Sequence, residues 1–354
     1  MTELNISEGF TCPAPIQAYD RIVSGHGSGG KMTADLIEKT FRKYLESDGL
    51  AQGNDAANLP IPRQVKRIAV TTDSHIVSPL FFPGGDIGAL SVCGTVNDLL
   101  TSGAVPQWLT AGFILEEGFP LSDLEKILAS MRERSEEAGI QIVAGDTKVV
   151  EHGKGDGIFI NTSGVGWIVD DFQPGGEKAQ TGDTIILSGT IGDHGMAVLC
   201  ARGEMGFESD IRSDVAPLNE IVNSLRRAAP HTHVLRDPTR GGLSTTLNEI
   251  ALQSHVSVEI DETAVPIRPE VRSICDLLGF DPLYVANEGK LVIFVPEVEA
   301  QDALTAIRAS RYGENAAVIG RVIHGDRSPV TLRTAFGTGR ILESLPGEML
   351  PRIC

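Results

Sequence analysis

The stretch TTDSHIVSPLFFPGGDIGALSVCGTVNDLLTSGA, residues 71–104, carries both a fold signal and several chemically active side chains. The β-branched residues Ile68 and Val70 just before it, followed by Thr-Thr-Asp, predict a short strand that ends in a loop. Apolar residues at helical spacing then predict a helix from about 86 to 102. A strand followed closely by a helix favours an α/β fold.

The same alternation continues on both sides of this stretch. Further helices are predicted near 32–46, 121–138, 194–202, 215–227 and 241–253, and further strands near 108–115, 140–144, 158–168, 184–189, 256–260, 291–295 and 316–323. The turn-rich, charged segment DDFQPGGEKAQTGD, residues 170–183, separates two β-like runs and marks a domain boundary. The sequence therefore predicts two α/β sandwiches of comparable size.

Two domains are expected because a single core rarely serves 354 residues. We divide the chain into an N-terminal extension (1–19), a first domain (20–169), a linker (170–183), a second domain (184–340) and a mobile tail (341–354). Hydrophobic residues make up 41% of the chain, which is enough to build real cores. A disordered or fibrous protein is therefore not expected.

The chain is acidic, with 30 Lys and Arg residues against 47 Asp and Glu residues and a net charge of −17. Nucleic acids and anionic membranes need clustered basic residues, so neither is an expected partner. The N-terminus lacks a signal-peptide pattern, and no apolar stretch is long enough to span a bilayer. Five cysteines without CxxC spacing suit a reducing compartment, so a cytoplasmic location is expected.

The loop SGHGSGGK, residues 24–31, opens a predicted helix. Its glycines allow several N–H groups to point into one concavity, and a helix N-terminus adds positive potential, so the loop could cradle phosphate. It also matches the GxGxxG pattern of dinucleotide-binding folds, although the preceding strand would be only Ile22 and Val23. A flexible turn before a helix explains this motif equally well.

Five aspartates recur at element ends or on a helix, flanked by Gly, Thr or Ser: Asp73, Asp86, Asp98, Asp146 and Asp237. Carboxylate oxygens are the ligands that Mg²⁺ prefers, usually one or two per ion together with water and phosphate. Any single aspartate is better explained as a helix cap or a solvated turn residue. Their recurrence favours a ligand site, because ligands bind at strand ends in α/β sheets.

Two lysines lie beside acidic residues, Lys148 in GDTK and Lys290 in NEGK, and Glu288 is two residues before Lys290. A lysine can neutralise charge on a transferring phosphate, and a glutamate can remove a proton. Without further context an ordinary exposed ion pair is the better interpretation.

The chain ends in LPRIC, where prolines favour an extended tail that could carry the Cys354 thiol between sites. A terminal cysteine can equally be accidental.

Several motifs together resemble one known family: GHGSGGK (25–31), the 71–104 stretch, IVAGDTKVV (142–150), IGDHG (191–195), RDPTRGGLSTTLNEIA (236–251), NEGKL (287–291) and PRIC (351–354). They resemble the HypE family of hydrogenase maturation proteins. These are carbamoyl dehydratases of the PurM-like superfamily, which includes aminoimidazole ribonucleotide synthetase and selenophosphate synthetase. The resemblance runs from about Asp20 to Cys354, with the motifs in the family order.

The resemblance implies two PurM-like domains, a homodimer formed through strands of the N-terminal domains, and ATP bound in the cleft between domains and partners. The Mg²⁺-binding acids would be Asp73, Asp86, Asp98 and Asp237. ATP and its phosphates would contact Gly27, Gly29, Gly30, Lys31, Asp146 and Lys148. Lys148 would steady the reacting phosphate and carbonyl, Glu288 would be the base, and Cys354 would carry the carbamoyl group.

By the same resemblance, a HypF-type carbamoyltransferase would place a carbamoyl group on Cys354. ATP would then drive dehydration of this group to a thiocyanate. A HypC–HypD complex would accept the nitrile, which becomes a cyanide ligand for [NiFe]-hydrogenase iron. A non-catalytic carrier with a C-terminal docking thiol is the alternative. A Rossmann oxidoreductase would need an acid at a strand end about 20 residues after the glycine loop, and Glu46 instead falls inside a predicted helix. A selenophosphate synthetase would need Cys or selenocysteine at that loop, and Cys12 lies well upstream.

Overall fold

The computed structural model describes residues 19–54, 56–203, 209–325, 328–345, 347 and 350–353. Its helices are α1 (Lys31–Leu36), α2 (Arg42–Tyr44), α3 (Asp48–Ala51), α4 (Ile87–Thr101), α5 (Leu121–Ala138), α6 (Asp193–Ala201), α7 (Asn219–Ala228), α8 (Gly242–Ser254), α9 (Pro269–Leu278) and α10 (Ala300–Arg308). Its strands are β1 (Arg67–His75), β2 (Phe81–Phe82), β3 (Gly85–Asp86), β4 (Val105–Glu116), β5 (Gln141–Val150), β6 (Ile158–Ile168), β7 (Thr184–Leu187), β8 (Val234–Arg236), β9 (Ser257–Asp261), β10 (Val292–Val295), β11 (Ala317–Ile323), β12 (Val330–Arg333) and β13 (Gly339–Leu342).

The first domain is a four-stranded sheet in the order β1-β6-β4-β5, antiparallel except between β4 and β5. Helices α4 and α5 cover one face, and α4 is buried along almost its whole length. The other face, which we call the outer face, exposes apolar side chains of β1 and β4. Ile68, Val70 and Ile114 are 50%, 65% and 44% exposed, respectively.

The second domain is a seven-stranded sheet in the order β13-β12-β9-β11-β7-β10-β8, antiparallel except between β12 and β9. Alternate side chains of β7 point to opposite faces, as strand geometry requires. Ile185 and Leu187 pack in the core that contains α8, whereas Ile186 joins the core that contains α6 and α7. The core that contains α6 and α7 is continuous with the core of the first domain, so the two domains share one apolar interior.

The predicted elements are present, with informative differences at their boundaries. The helix predicted over 32–46 is α1 and α2 joined by a π-helical turn, Ile37–Phe41. The helix predicted over 215–227 begins only at Asn219, because Pro217 disfavours helical geometry in the residue before it. The second-domain boundary predicted at 340 falls inside β13, which ends at Leu342.

The dinucleotide-fold alternative is wrong. That fold needs a parallel sheet and a strand leading into the glycine loop. In this structure the sheet of the first domain is mostly antiparallel, and the residues before the loop make a single β-bridge between Arg21 and Pro120. No helix in the described part of the chain is long and apolar enough to cross a bilayer.

Candidate active site

A cavity of about 310 Å³ lies between the two domains. Its walls come from β1 and α4 of the first domain and from β8, the loop after β8, α8 and the loop before β10 of the second. The lining residues are Asp73, His75, Gly94, Asp98, Arg236, Asp237, Thr239, Arg240, Thr246, Glu249 and Glu288. Gly94 keeps the space open, since a Cβ there would lie 3.3 Å from Asp73 Oδ2.

Three of the four acids predicted to bind magnesium line this cavity: Asp73, Asp98 and Asp237. Thr71 Oγ1 donates to Asp98 Oδ2 at 2.9 Å, which fixes that carboxyl on α4. Burial, and then the nearby charge of Asp237, raises the pKa of Asp98 to about 7. Burial also raises the pKa of Asp237. The cavity therefore crowds carboxyl groups together and favours a cationic occupant.

Glu288 is buried in the same cavity wall, with 5% of its surface exposed. Its Oε1 atom is fully buried and has no hydrogen-bond partner. Burial, followed by the negative charges of Asp214 and Asp237, raises the pKa of Glu288 well above its usual value. Because burial disfavours its charged form, this carboxylate is a stronger base than an exposed one, as suits a general base.

The backbone around Glu288 is held from both domains. Asp214 accepts hydrogen bonds from the N–H groups of Glu288 and Gly289, both at 3.2 Å. Asn97 on α4 donates to the Glu288 carbonyl oxygen at 3.3 Å. Burial opposes ionisation of Asp214, but Lys290 (3.3 Å away), His194 and the two N–H groups outweigh it and lower its pKa. The loop is therefore held rigidly beside the cavity.

Six other polar residues of the cavity were not predicted from the sequence: His75, Arg236, Thr239, Arg240, Thr246 and Glu249. His75 could have been found, because it is two residues after Asp73 on β1 and so faces the same side of the sheet. Its Nε2 atom is 3.6 Å from Asp73 Oδ2, and burial lowers its pKa. Arg236 donates to Glu249 Oε2 at 2.8 Å.

The fourth predicted magnesium ligand, Asp86, lies elsewhere in the chain. It is the N-cap of α4, and its Oδ1 atom accepts from the Ala89 N–H at 2.9 Å. It lines a separate groove with Lys126 and Arg134, outside the interdomain cavity. Within one chain Asp86 therefore does not join the other three acids, and capping explains its position at the start of the helix.

Asp146 and Lys148 lie on β5, on the outer face of the sheet. Asp146 is paired with Gly112 of β4, which is paired with Asn161 of β6, which in turn is paired with Ser74 of β1. The side chains of Ser74 and Asp146 therefore point to the face opposite to that of Asp73, the neighbour of Ser74. Lys148 Nζ is 2.6 Å from Asp146 Oδ2, and this hydrogen bond lowers the pKa of Asp146. Both side chains are more than 60% exposed. Within one chain they do not reach the cavity.

The glycine loop lies against the same strand. A Cβ on Gly27 would lie 2.8 Å from the backbone nitrogen of Val149, the neighbour of Lys148, so only glycine allows this approach. Gly29 has a φ of +77°, which also favours glycine. Gly30 and Lys31 follow at the start of α1. We call the glycine loop together with Asp146 and Lys148 the β5 cluster.

The reactive-thiol candidate, Cys354, lies outside the described residues. The segment before it is described at 350–353, where Leu350 and Ile353 are buried in the shared core. The end of the chain is therefore anchored up to the residue before Cys354.

Two family models cover most of the chain. The model for the N-terminal domain of AIR synthase related proteins matches residues 53–168, and the model for the C-terminal domain matches residues 180–333. The chain is 51% identical over 329 residues to the carbamoyl dehydratase HypE of Azotobacter vinelandii, covering 93% of this chain and 96% of that protein. The chain belongs to the HypE family of carbamoyl dehydratases. The predicted family and the two-domain PurM-like fold are thus confirmed.

Other members agree in sequence and in structure. The carbamoyl dehydratase HypE of Escherichia coli strain K12 is 43% identical over 338 residues, which is 95% of this chain and 100% of that protein. A crystal structure of the hydrogenase maturation protein HypE in complex with ATP matches with a TM-score of 0.90 at 48% identity, covering 94% of this chain and 99% of that chain. A crystal structure of a HypE–HypF complex matches with a TM-score of 0.77 at 48% identity, covering 88% and 99%. This HypE-family chain is therefore an enzyme of hydrogenase maturation.

Proposed function

We propose that this HypE-family enzyme uses ATP to remove water from a carbamoyl group carried on the Cys354 sulfur, leaving a thiocyanate. The observation that carries the proposal is Glu288, a buried carboxyl with a raised pKa and an unpaired oxygen in a cavity lined by aspartates. The HypE structure with bound ATP supports the choice of nucleotide.

The reaction balances as follows. The amide oxygen of the S-carboxamide attacks the γ-phosphorus of ATP, and ADP leaves. The nitrogen then loses both protons, the C–O bond breaks as the C≡N bond forms, and the oxygen departs on inorganic phosphate. Glu288 accepts one nitrogen proton and the departing phosphate carries away the other, while the buried position of Glu288 excludes water that would compete for the activated carbon. Lys148 offsets charge on the reacting phosphate and carbonyl.

Magnesium fits the cavity as a companion of the nucleotide. No group of three or more potential ligands in the described part of the chain is spaced to hold a metal ion unaided. Mg²⁺ usually takes one or two carboxylates together with phosphate oxygens and water, and Asp73, Asp98 and Asp237 could supply the carboxylates. The bound ion would supply positive charge that neutralises the phosphates.

We also propose a homodimer formed through the outer face of the first domain. The exposed side chains of Ile68, Val70 and Ile114 make this face apolar enough to bury against a second copy. The β5 cluster lies on the same domain but away from its own cavity. Pairing of the outer faces would then let Lys148 of one chain serve the cavity of the other.

The proposed partners are those that the family resemblance implies. A HypF-type carbamoyltransferase is proposed as the donor, supported by the HypE–HypF complex. A HypC–HypD complex is proposed as the nitrile acceptor, and the cytoplasm as the location.

The alternative to the proposed dehydratase is a carrier that holds a docking thiol without consuming ATP. That alternative predicts no ATP turnover, even after Cys354 has been carbamoylated.

The test follows the mass of the C-terminal peptide. Incubation with the carbamoyl donor should add one carbamoyl mass, and Mg-ATP should then remove the mass of one water. Cys354→Ala should abolish both changes, whereas the matched control Cys200→Ser on α6 should keep both. Water loss from the Cys354→Ala protein, or no ATP use by the carbamoylated wild type, would refute the proposal.

A further inference from the structure

Two buried asparagines stand directly before cavity acids in the sequence, and the proposed mechanism gives neither of them a role. Asn97 precedes Asp98 on α4, and Asn287 precedes Glu288 in the loop before β10. Asn97 is 2% exposed and Asn287 is completely buried. A buried amide costs free energy unless it is hydrogen-bonded, so the partners of each side chain show which parts of the structure it holds together.

Asn287 connects the two loops of the second domain that carry Asp237 and Glu288. Its Nδ2 atom donates to the carbonyl oxygens of Pro238 at 2.9 Å and Val285 at 3.0 Å. Its backbone N–H also donates to the Pro238 carbonyl oxygen, at 3.2 Å. Pro238 directly follows Asp237, and Asn287 directly precedes Glu288. The residues adjacent to the two acids are therefore bonded to each other twice.

Asn97 makes a comparable connection between the two domains. Its Nδ2 atom donates to the carbonyl oxygens of Ala216 at 3.0 Å and Glu288 at 3.3 Å, both in the second domain. The side chain of the next residue, Asp98, lines the cavity from the first domain. One amide therefore connects the helix that carries Asp98 with the loop that carries Glu288.

The hydrogen-bond partners permit only one orientation of each amide. Each NH₂ group faces two carbonyl oxygens, which can only accept. Each amide oxygen accepts from a backbone N–H, that of Leu218 for Asn97 at 3.0 Å and that of Gly192 for Asn287 at 2.7 Å. An aspartate of the same shape would place a carboxylate oxygen against two carbonyl oxygens, so both positions require an amide.

We propose that Asn97 and Asn287 are positioning residues for Glu288. Asn287 sets the spacing between the Glu288 carboxyl and Asp237. Asn97 sets the spacing between the same carboxyl and Asp98. No described residue hydrogen-bonds the Oε1 atom of Glu288, so the backbone that the asparagines hold decides where this carboxyl lies. The inference rests on the proposed function, in which Glu288 must meet a nitrogen proton at short range, and a base displaced by about 1 Å loses much of its effect.

The direct test measures the single-turnover rate of water loss from carbamoylated Cys354 with saturating Mg-ATP, read from the mass of the C-terminal peptide. Asn287→Ala removes three hydrogen bonds and should slow water loss roughly tenfold or more, because the base is misplaced. Asn97→Ala should slow it about three- to tenfold, since its bond to the Glu288 carbonyl is longer. Carbamoylation of Cys354 should stay within about twofold of wild type in both variants, because that step does not use the base.

Asn248→Ala is the matched control. Asn248 on α8 also donates to two main-chain carbonyl oxygens, those of Ser244 at 2.8 Å and Leu342 at 3.1 Å. Neither acceptor belongs to the cavity wall, so water loss in Asn248→Ala should remain within about twofold of wild type. Thermal unfolding of each variant verifies that it is folded, and Asn97→Ala and Asn287→Ala test the positioning independently if one of them does not fold.

A second comparison separates positioning from general damage. In Glu288→Gln the base is absent, so adding Asn287→Ala should slow the remaining water loss by less than about twofold. A residue that only stabilises the fold should slow water loss by the same factor in both backgrounds. Hydrogen exchange at the Glu288 and Gly289 amides should accelerate in Asn97→Ala, because the loop loses one of its anchors.

Three results would overturn the proposal. Folded Asn97→Ala and Asn287→Ala proteins could lose water at the wild-type rate, Asn248→Ala could slow water loss as much as they do, or Asn287→Ala could slow Glu288→Gln and the wild type by the same factor. If instead hydrogen exchange responds as expected but the carbamoylated wild type never loses water, the asparagines still hold the Glu288 loop and the proposed dehydration fails.

Discussion

Burial raises the pKa values of Asp98, Asp237 and Glu288 in the interdomain cavity, whereas Asp146 in the β5 cluster is exposed and its hydrogen bond with Lys148 lowers its pKa. The cavity is assembled by one chain, with Glu288 held by Asp214 and Asn97. The β5 cluster instead presents an exposed Lys148–Asp146 pair, and such pairs contribute little to stability. On the proposed function, one chain would complete the proton-transfer half of the site, whereas a ligand or a second chain would have to cover the phosphate half.

The largest effect is expected from removing the base in the cavity. Glu288→Gln keeps the shape of the side chain but cannot accept a proton, so water loss should fall on the order of 10²-fold or more. ATP binding and carbamoylation of Cys354 should change little. Mass measurement of the C-terminal peptide after single turnover tests this. The control, Glu259→Gln on β9, alters a half-buried glutamate outside the cavity. If Glu288→Gln lost water at the wild-type rate, Glu288 would not be the base and the cavity would have no part in the mechanism.

A mixture of two inactive variants tests whether the β5 cluster works across a dimer. Glu288→Gln and Lys148→Met should each be inactive alone. In a mixed dimer, one site would combine both defects and the other would have neither. Random exchange of subunits should therefore restore about a quarter of the wild-type activity, since half of the dimers are mixed and each has one intact site. No restoration after verified exchange would place Lys148 and Glu288 in the same chain's site.

Much of this arrangement could be predicted from the sequence. The helix at 121–138 and the strand at 158–168 were predicted to the residue, because apolar periodicity and β-branched runs mark such elements directly. The recurrence of aspartates favoured a ligand site, and the family resemblance implied that Asp73, Asp98 and Asp237 share it. Asp86 did not join them, since its capping role and a ligand role look identical in the sequence.

Other features depended on contacts between distant parts of the chain. The face on which Asp146 and Lys148 lie is set by the register of β5 against β4, including a bulge near Ala144, which sequence patterns do not specify. The anchoring of 350–353 could not be predicted either, because Arg202 and His194 recognise main-chain carbonyl groups. Such recognition leaves little trace in the side chains of the tail.

A smaller effect concerns the cost of crowding acids in the cavity. The pKa of Asp98 rises from its usual 3.8 to about 7, so the folded state binds its proton more tightly than the unfolded chain does. This stabilisation is fully present below pH 4 and is lost as pH rises toward 7. Without metal or nucleotide, Asp98→Asn should therefore exceed the wild type in unfolding free energy by about 1–3 kcal/mol at pH 8, and by much less at pH 5.

Urea unfolding of both proteins from pH 5 to 8 measures this difference. The exposed Asp35→Asn on α1 is the control, and its difference from wild type should stay small and flat with pH. A constant difference for Asp98→Asn would mean that folding does not raise the pKa of Asp98. Burial in the cavity would then have no electrostatic effect on this carboxyl, and the contrast with the β5 cluster would fail.

The smallest effect separates capping from ligand binding at Asp86. Asp86→Ala removes the acceptor for the Ala89 N–H and should cost about 1 kcal/mol of unfolding free energy. Asp86→Asn keeps a capping oxygen and should cost much less. Because Asp86 lies outside the interdomain cavity, both folded variants should dehydrate carbamoylated Cys354 at nearly the wild-type rate with saturating Mg-ATP. A tenfold loss of rate in Asp86→Asn at unchanged stability would show that the negative charge matters, and would extend the phosphate half of the site to the start of α4.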